Sequence, residues 1–182
     1  MYFAILLVPL RHAVLDANRD TTLSTGSGTH PVLAYADASW GNDLGDRKST
    51  TGAVIKFNGN PICWLSKKQP TVAISTAEAE YVAVSAVVSE VLWFKTWCHE
   101  VLDIGGTIPI LSDNQSAIAL CMHDSAHQRT KHIDIKHHFI RDHVKNGDIT
   151  ISWVPTTKQD ADICTKMLPT KLFNELRSHL LV

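Results

Sequence analysis

The chain has 182 residues, of which 45% are hydrophobic and 19% charged, and its formal net charge is −1. That length fits one domain with a proper core, or one domain with short extensions, and the composition excludes a disordered chain. The near-neutral charge excludes long-range steering onto nucleic acid, so any such partner must be held by a local basic patch.

At the N-terminus, MYFAILLVPLRH carries an apolar run too short to cross a bilayer, and no membrane partner is expected. The run lacks the basic flank and small-residue cleavage site of a secretion signal, and reads as a core-covering segment or the severed edge of something longer. A polar stretch ending in TLSTGSGTH reads as a linker. Residues 1–30 are therefore expected to form an extension, with the domain beginning near Pro31.

Val32 to Asp37 alternates apolar and small residues and reaches an acid just before the turn-rich SWGND, which predicts a strand delivering Asp37 near its end. Ala53 to Phe57 and Ile62 to Leu65 predict two further strands around the Asn58-Gly59 hairpin signal. Ser75 and Thr76 are N-cap residues, and Tyr81, Val84, Val88, Val91, Leu92 and Trp93 predict a long helix running to about Val101, broken at Gly105-Gly106. Glu78 and Glu80 stand near the start of that helix and face different ways, being about 200° apart around it. Glu78 is explained as a capping-region acid, which leaves Glu80 as the one with chemistry to do.

Ile108 to Leu111 predicts a strand running into Ser112-Asp113-Asn114 and a helix over Gln115 to Met122. The His-rich segment that follows predicts a helix with Ile133, Ile135, Phe139, Ile140 and Val144 on its apolar face, stopped at Asn146-Gly147. A last strand is expected over Ile149 to Val154, a short helix holding Asp162 over Asp160 to Met167, and a C-terminal helix over Leu168 to Leu181. Such an order predicts an α/β domain whose mixed sheet carries helices on its faces. The four cysteines, at 63, 98, 121 and 164, form no CxxC pair, so a zinc ribbon is excluded and free thiols of an intracellular protein are expected. His127, His132, His137, His138 and His143 lack the spacing and companions of a zinc site and read as loop and helix surface. Nothing in the pattern determines an oligomeric state.

Asp37, Glu80, Asp113 and Asp162 come from a strand, a helix start, a strand end and a late helix. Taken singly, each also reads as a turn, cap or surface residue. If the sheet gathers them, only a cation makes the cluster tolerable, because like charges so close raise one another's pKa. Mg²⁺ suits an all-oxygen set, and two such ions about 3.5–4 Å apart activate a water and stabilise a leaving oxygen in phosphodiester cleavage.

The stretches YADASWGNDLGDRKSTTGAVIKFNGNPICWLSKKQPTVAISTAEAEYVAVS, LSDNQSAIAL, RTKHIDIKHHFIRDHV and WVPTTKQDADICTK closely resemble the ribonuclease H domain of copia-type retrotransposon Pol polyproteins. The resemblance runs from about Leu33 to the C-terminus. It implies a five-stranded mixed sheet flanked by helices, with residues 31–168 as the ribonuclease H-like domain and 169–182 as a C-terminal helix. It further implies an endonuclease that cuts the RNA strand of an RNA:DNA hybrid with two Mg²⁺ or Mn²⁺ ions held by Asp37, Glu80, Asp113 and Asp162. Asp160 is the nearest rival to Asp162. A reverse transcriptase domain of a parent polyprotein is the implied partner. The competing expectation is an inactive retroelement fragment or a nucleic-acid-binding module. Cellular and retroviral relatives often carry a His in the loop before the fourth acid, and Thr157 stands near that point here. Lys67, Lys68, Gln69, Ser75, Thr76, Asn114 and Gln115 are the candidate substrate contacts, offering charge to phosphates or hydrogen bonds to 2′-hydroxyls. Trp40 and Trp64 are expected in the core or in packing.

Overall fold

A computed structural model describes residues 30–122 and 131–180, and for 131–137 the backbone alone. The expected N-terminal extension, His127, and the side chains of His132, Ile133, Ile135 and His137 lie outside the described residues. In order, the elements are β1 (Val32–Ser39), β2 (Thr50–Phe57), β3 (Asn60–Lys68), α1 (Thr76–Leu102), β4 (Ile108–Ser112), α2 (Gln115–Met122), α3 (Lys131–Lys145), β5 (Ile149–Trp153), two 3-10 turns at Thr156–Lys158 and Asp160–Cys164, and α4 (Thr170–Ser178).

The strands form one sheet in the order β3-β2-β1-β4-β5. β2 is antiparallel to both its neighbours, whereas β1, β4 and β5 run parallel. This is the five-stranded mixed sheet expected. The β2–β3 turn forms because Asn58 and Gly59 both adopt positive φ, 50° and 82°, as a two-residue hairpin of this hand requires.

At its start, α1 is closed by a reciprocal cap. Ser75 Oγ accepts the Glu78 N–H at 3.1 Å, and the Glu78 carboxylate accepts the Ile74 N–H at 2.7 Å. The far end falls where expected, at Leu102, but Asp103 rather than the glycine pair makes the stop: it takes the left-handed conformation (φ 55°) and its N–H returns to the Cys98 carbonyl. Aspartate tolerates that conformation, so no glycine is needed for the stop. Tyr81, Val84, Val88 and Val91 are buried, but Trp93 is half-exposed, since two residues beyond Val91 is more than half a turn away. The 160s segment also departs from expectation. It is 3-10 rather than a helix to Met167, and α4 begins only after Pro169, which biases Leu168 away from helical backbone.

Val32, Ala34, Ile55, Phe57, Ile108, Ile110 and Ile149 from the sheet bury against α1 and Ile140 of α3. Each large side chain fully buried contributes about 1.5–3 kcal/mol. A separate cluster of small residues, Ala38, Ala73, Ala79 and Ala83, lets the first turns of α1 approach the end of β1 closely. Trp40 and Trp64, expected in the core or in packing, both lie outside the core and make their contacts at the surface. Trp40 lies at the surface with its Nε1–H donating to the Ala73 carbonyl at 3.0 Å, which ties the end of β1 to the approach of α1. Trp64 is partly exposed and lines an apolar hollow of about 300 Å³ with Val54, Pro61, Ile163 and Leu180. Leu176 is buried and the Lys56 ammonium donates to the His179 carbonyl, so α4 and the turn after it dock on the domain. Among the described residues, no helix is long and apolar enough to cross a membrane.

Candidate active site

The parallel pairing of β1 with β4 sets Ala34 beside Ile110 and Tyr35 beside Leu111. Two residues further along, the same register puts Asp37 level with Asp113. Both acids thus stand toward the carboxyl ends of adjacent parallel strands. There the sheet also changes from parallel to antiparallel pairing, the crevice position where open α/β sheets place their sites. Because side chains alternate along a strand, Ala38 packs toward α1 while Asp37 faces the opposite side, toward the 3-10 turns.

Two features of the chain bring the fourth segment onto that face. Gln159 is fully buried, donating from Nε2 to the Ala36 carbonyl at 3.0 Å and accepting the Ala161 N–H on Oε1. Gly52, the strand partner of Asp37, has no side chain to hold the turn away. A Cβ there would collide with Thr165 Cγ2 and would stand 2.9 Å from the Ala161 carbonyl oxygen. Asp162 is thereby delivered to the sheet end. One carboxylate oxygen from each of Asp37, Asp113 and Asp162 lies within 4.8 Å of the others.

Glu80 approaches from α1. It is 7% exposed, and its Oε2 is buried without a hydrogen-bond partner. Burial, followed by the charges of Asp37 and Asp113, pushes its carboxyl up to about 9, against the opposing pull of a hydrogen bond from the Ala38 backbone. Glu78 by contrast is spent on the helix cap. The two acids divide as their azimuths require: Glu78 closes the helix, and Glu80 is buried close enough to Asp37 and Asp113 for their charges to add to the effect of burial in raising its carboxyl. Asp162 is likewise pushed up, to about 6, by burial first and by the Asp37 charge, against a hydrogen bond from Lys166.

Three neighbours of the acids escaped the sequence reading. The Thr165 hydroxyl donates to Asp37 Oδ2. The Lys166 ammonium donates to Asp162 Oδ1 at 2.6 Å and to Asp37 Oδ1 at 3.1 Å. Thr156 Oγ1 donates to Asp113 Oδ2 at 2.7 Å, so the threonine that reaches the site from the loop after β5 is Thr156 rather than Thr157. The four-residue spacing from Asp162 to Lys166 is legible in sequence, since it stacks the pair on one side of a helical turn. The two hydroxyl contacts carry no such signal.

Asp160, the rival of Asp162, is turned away into a buried ion pair with Lys56 at 2.6 Å and a contact to His179 Nδ1 at 3.1 Å. Of the substrate candidates, Gln69 needs correction. It is 3% exposed, and its amide nitrogen donates to Thr51 Oγ1 and to the Ala79 carbonyl, so it braces β2 against α1 rather than facing solvent. Lys68 is exposed but paired with Asp43 at 2.5 Å and Asp46 at 3.0 Å. Those contacts hold the Asp43 carboxyl down at about 2, the Lys68 hydrogen bond being the largest cause. Lys67 is exposed, as are Thr76 and Gln115. Ser75 and Asn114 spend their side-chain oxygens on the caps of α1 and α2, Asn114 Oδ1 accepting the Ala117 N–H at 3.0 Å. Of the histidines, His138 is exposed, and His143 Nδ1 contacts Asp148 Oδ2 at 2.8 Å.

The sheet order, the helices on it and the acids at the strand ends define the ribonuclease H fold. The structure superposes on LC11-RNase H1, isolated from compost, with a TM-score of 0.55 over 81% of this chain and 98% of that one at 12% identity. The same enzyme solved in complex with an RNA/DNA hybrid gives 0.54 over 74% of this chain and 93% of that one at 13% identity. No protein-family model matches the chain. By sequence it is homologous to the retrovirus-related Pol polyproteins of copia-type transposons. It is 38% identical over 147 residues, 80% of the chain, to that of transposon TNT 1-94 from Nicotiana tabacum. It is 38% identical over 173 residues, 94% of the chain, to that of transposon RE1 from Arabidopsis thaliana. The matches span only 11% and 12% of those polyproteins.

Proposed function

We propose that the chain is the ribonuclease H segment of a copia-type Pol polyprotein, cleaving the RNA strand of RNA:DNA hybrids with divalent metal. The observation that carries this reading is the approach of three carboxylate oxygens to within 4.8 Å, with the Glu80 carboxyl raised by its burial and by the charges of two of them. An all-oxygen set of this kind fits Mg²⁺ or Mn²⁺, and a buried carboxylate oxygen without a donor is one that a cation could satisfy. Asp37, Glu80, Asp113 and Asp162 would hold two such ions. When bound, the ions supply Lewis-acid activation of a water and stabilisation of the leaving oxygen.

The chain's own groups do the positioning. Thr165 and Thr156 hold the Asp37 and Asp113 carboxylates in one orientation through their hydroxyls. The Ala38 backbone fixes one side of Glu80. Thr76 and Gln115, exposed and close in sequence to the acids, and the amide group of Asn114 would offer hydrogen bonds to 2′-hydroxyls, which is how protein distinguishes RNA from DNA. Lys67 offers charge to a backbone phosphate at the mouth of a groove of about 230 Å³ shared with Thr51, Ser85 and Ser89. Scission between phosphorus and the 3′ oxygen would leave a 5′-phosphate and a 3′-hydroxyl. The LC11 complex, whose ligand is an RNA/DNA hybrid, supports the substrate class.

The test is cleavage of an end-labelled RNA:DNA hybrid by purified protein with Mg²⁺ or Mn²⁺. Wild type is expected to cut the RNA strand only, and Asp113→Asn to lose about 10²-fold or more of that rate, the order associated with removing one preorganised charge from such a site. Absence of cleavage by wild type, or full cleavage by Asp113→Asn, overturns the reading and leaves a nucleic-acid-binding or inactive segment.

A further inference from the structure

Lys166 stands where a cation is wanted. Its ammonium lies 2.6 Å from Asp162 Oδ1 and 3.1 Å from Asp37 Oδ1, and Asp37 is fully buried. With the Thr165 hydroxyl on Oδ2, both oxygens of Asp37 are then satisfied. Two acids of the cluster are bridged by one positive charge that the chain carries itself, four residues beyond Asp162. A divalent ion held by Asp37, Asp113 and Asp162 would take up space beside the oxygens the ammonium now bridges, and the two positive charges repel each other there. The lysine has somewhere to go, because 35% of its side chain is in solvent and its stem carries four rotatable bonds.

We propose that Lys166 is a built-in counter-cation of the metal-free site. It bridges Asp37 and Asp162 when no divalent ion is bound, and must swing out for one to load, which sets how tightly the site takes metal. The inference rests on the reading that these carboxylates bind divalent ions. Its energetic logic is competition. Apparent affinity is reduced by the fraction of molecules in which the ligands are free, so if the bridge holds nine-tenths of the metal-free population, its removal tightens binding about tenfold. Loss of the positive charge acts in the same direction. The metal-free protein suffers the opposite effect, because its buried carboxylates lose their partner.

The experiment is Mn²⁺ titration by calorimetry, with thermal melting in EDTA, on wild type, Lys166→Met, Lys166→Arg and the exposed-helix control Lys171→Met. Lys166→Met is expected to bind Mn²⁺ about tenfold tighter than wild type, to melt lower in EDTA, and to gain more on metal addition. Lys166→Arg keeps the charge and is expected to stay near wild type, as is Lys171→Met. Lys166→Gln, which keeps a donor without the charge, repeats the comparison with less risk to folding. Equal or weaker Mn²⁺ binding by the Met and Gln variants overturns the inference, as does the same tightening in Lys171→Met. If wild type binds Mn²⁺ and cuts hybrid while these variants match it, this inference alone falls. If no form binds Mn²⁺, the metal reading falls with it.

Discussion

Glu78 and Glu80 show how much a two-residue step on a helix decides. One carboxylate closes the N-terminus of α1, and the other is buried with an oxygen that no donor reaches. The burial has a pH consequence in the metal-free protein. Glu80 is raised from 4.5 to about 9, so between those values the folded state binds a proton that the unfolded state has released. The contribution of Glu80 to stability in EDTA is therefore expected to be fully present below about pH 4.5, to fall as pH rises, and to level off above about 9. Asp162, raised from 3.8 to about 6, adds a smaller decline in the lower part of that window. Glu80→Gln removes the larger effect. At pH 8 in EDTA a gain of about 2 kcal/mol would raise Tm by roughly 4–8 °C, with little change at pH 4.5, and hybrid cleavage would be lost. Melting curves at the two pH values check the sign.

Where elements meet, the site depends on one absent side chain and one buried pair. The turn carrying Asp162 lies on β2 at Gly52, so Gly52→Ala is expected to cost about 1–3 kcal/mol by overpacking and to lower cleavage by shifting Asp162. Urea denaturation and hybrid cleavage on the same preparation would show both. Asp160 anchors that turn from its other side through Lys56, both residues being almost wholly buried. Asp160→Asn leaves the lysine charge without its counterion and is expected to lose about 3–5 kcal/mol, read as a drop in the urea midpoint at unchanged slope. The Ala38, Ala73, Ala79 and Ala83 cluster works in the same way for Glu80, because small side chains are what permit α1 to come near enough for its carboxyl to meet the strand acids.

Across the whole molecule, the proposed metal site makes the stability of the folded state depend on divalent ions. Added Mg²⁺ or Mn²⁺ at about 100 times Kd should stabilise the protein by about 2.7 kcal/mol, roughly 5–11 °C in Tm, and Asp113→Asn should shrink that shift, as thermal melting with and without EDTA can measure. Much of this architecture was legible in advance. Hydrophobic alternation and the Asn58-Gly59 turn mark the strands, the Ser75 cap marks the start of α1, and the acids at element ends include Asp37, Asp113 and Asp162, whose carboxylate oxygens the fold brings within 4.8 Å of one another. Those signals are local, since periodicity and capping depend on residues a few positions apart. The roles of Gln69, Asp160 and Lys166 are not local. Gln69 faces inward because β2 and α1 close over it, Asp160 turns away because Lys56 lies under it, and Lys166 meets Asp37 across 129 positions of chain. The sequence by itself determined which segments form strands and helices and which acids stand at their ends. Only the tertiary structure decided which polar groups share a buried space, because side chains distant in the chain compete for the same oxygens only once the sheet has closed.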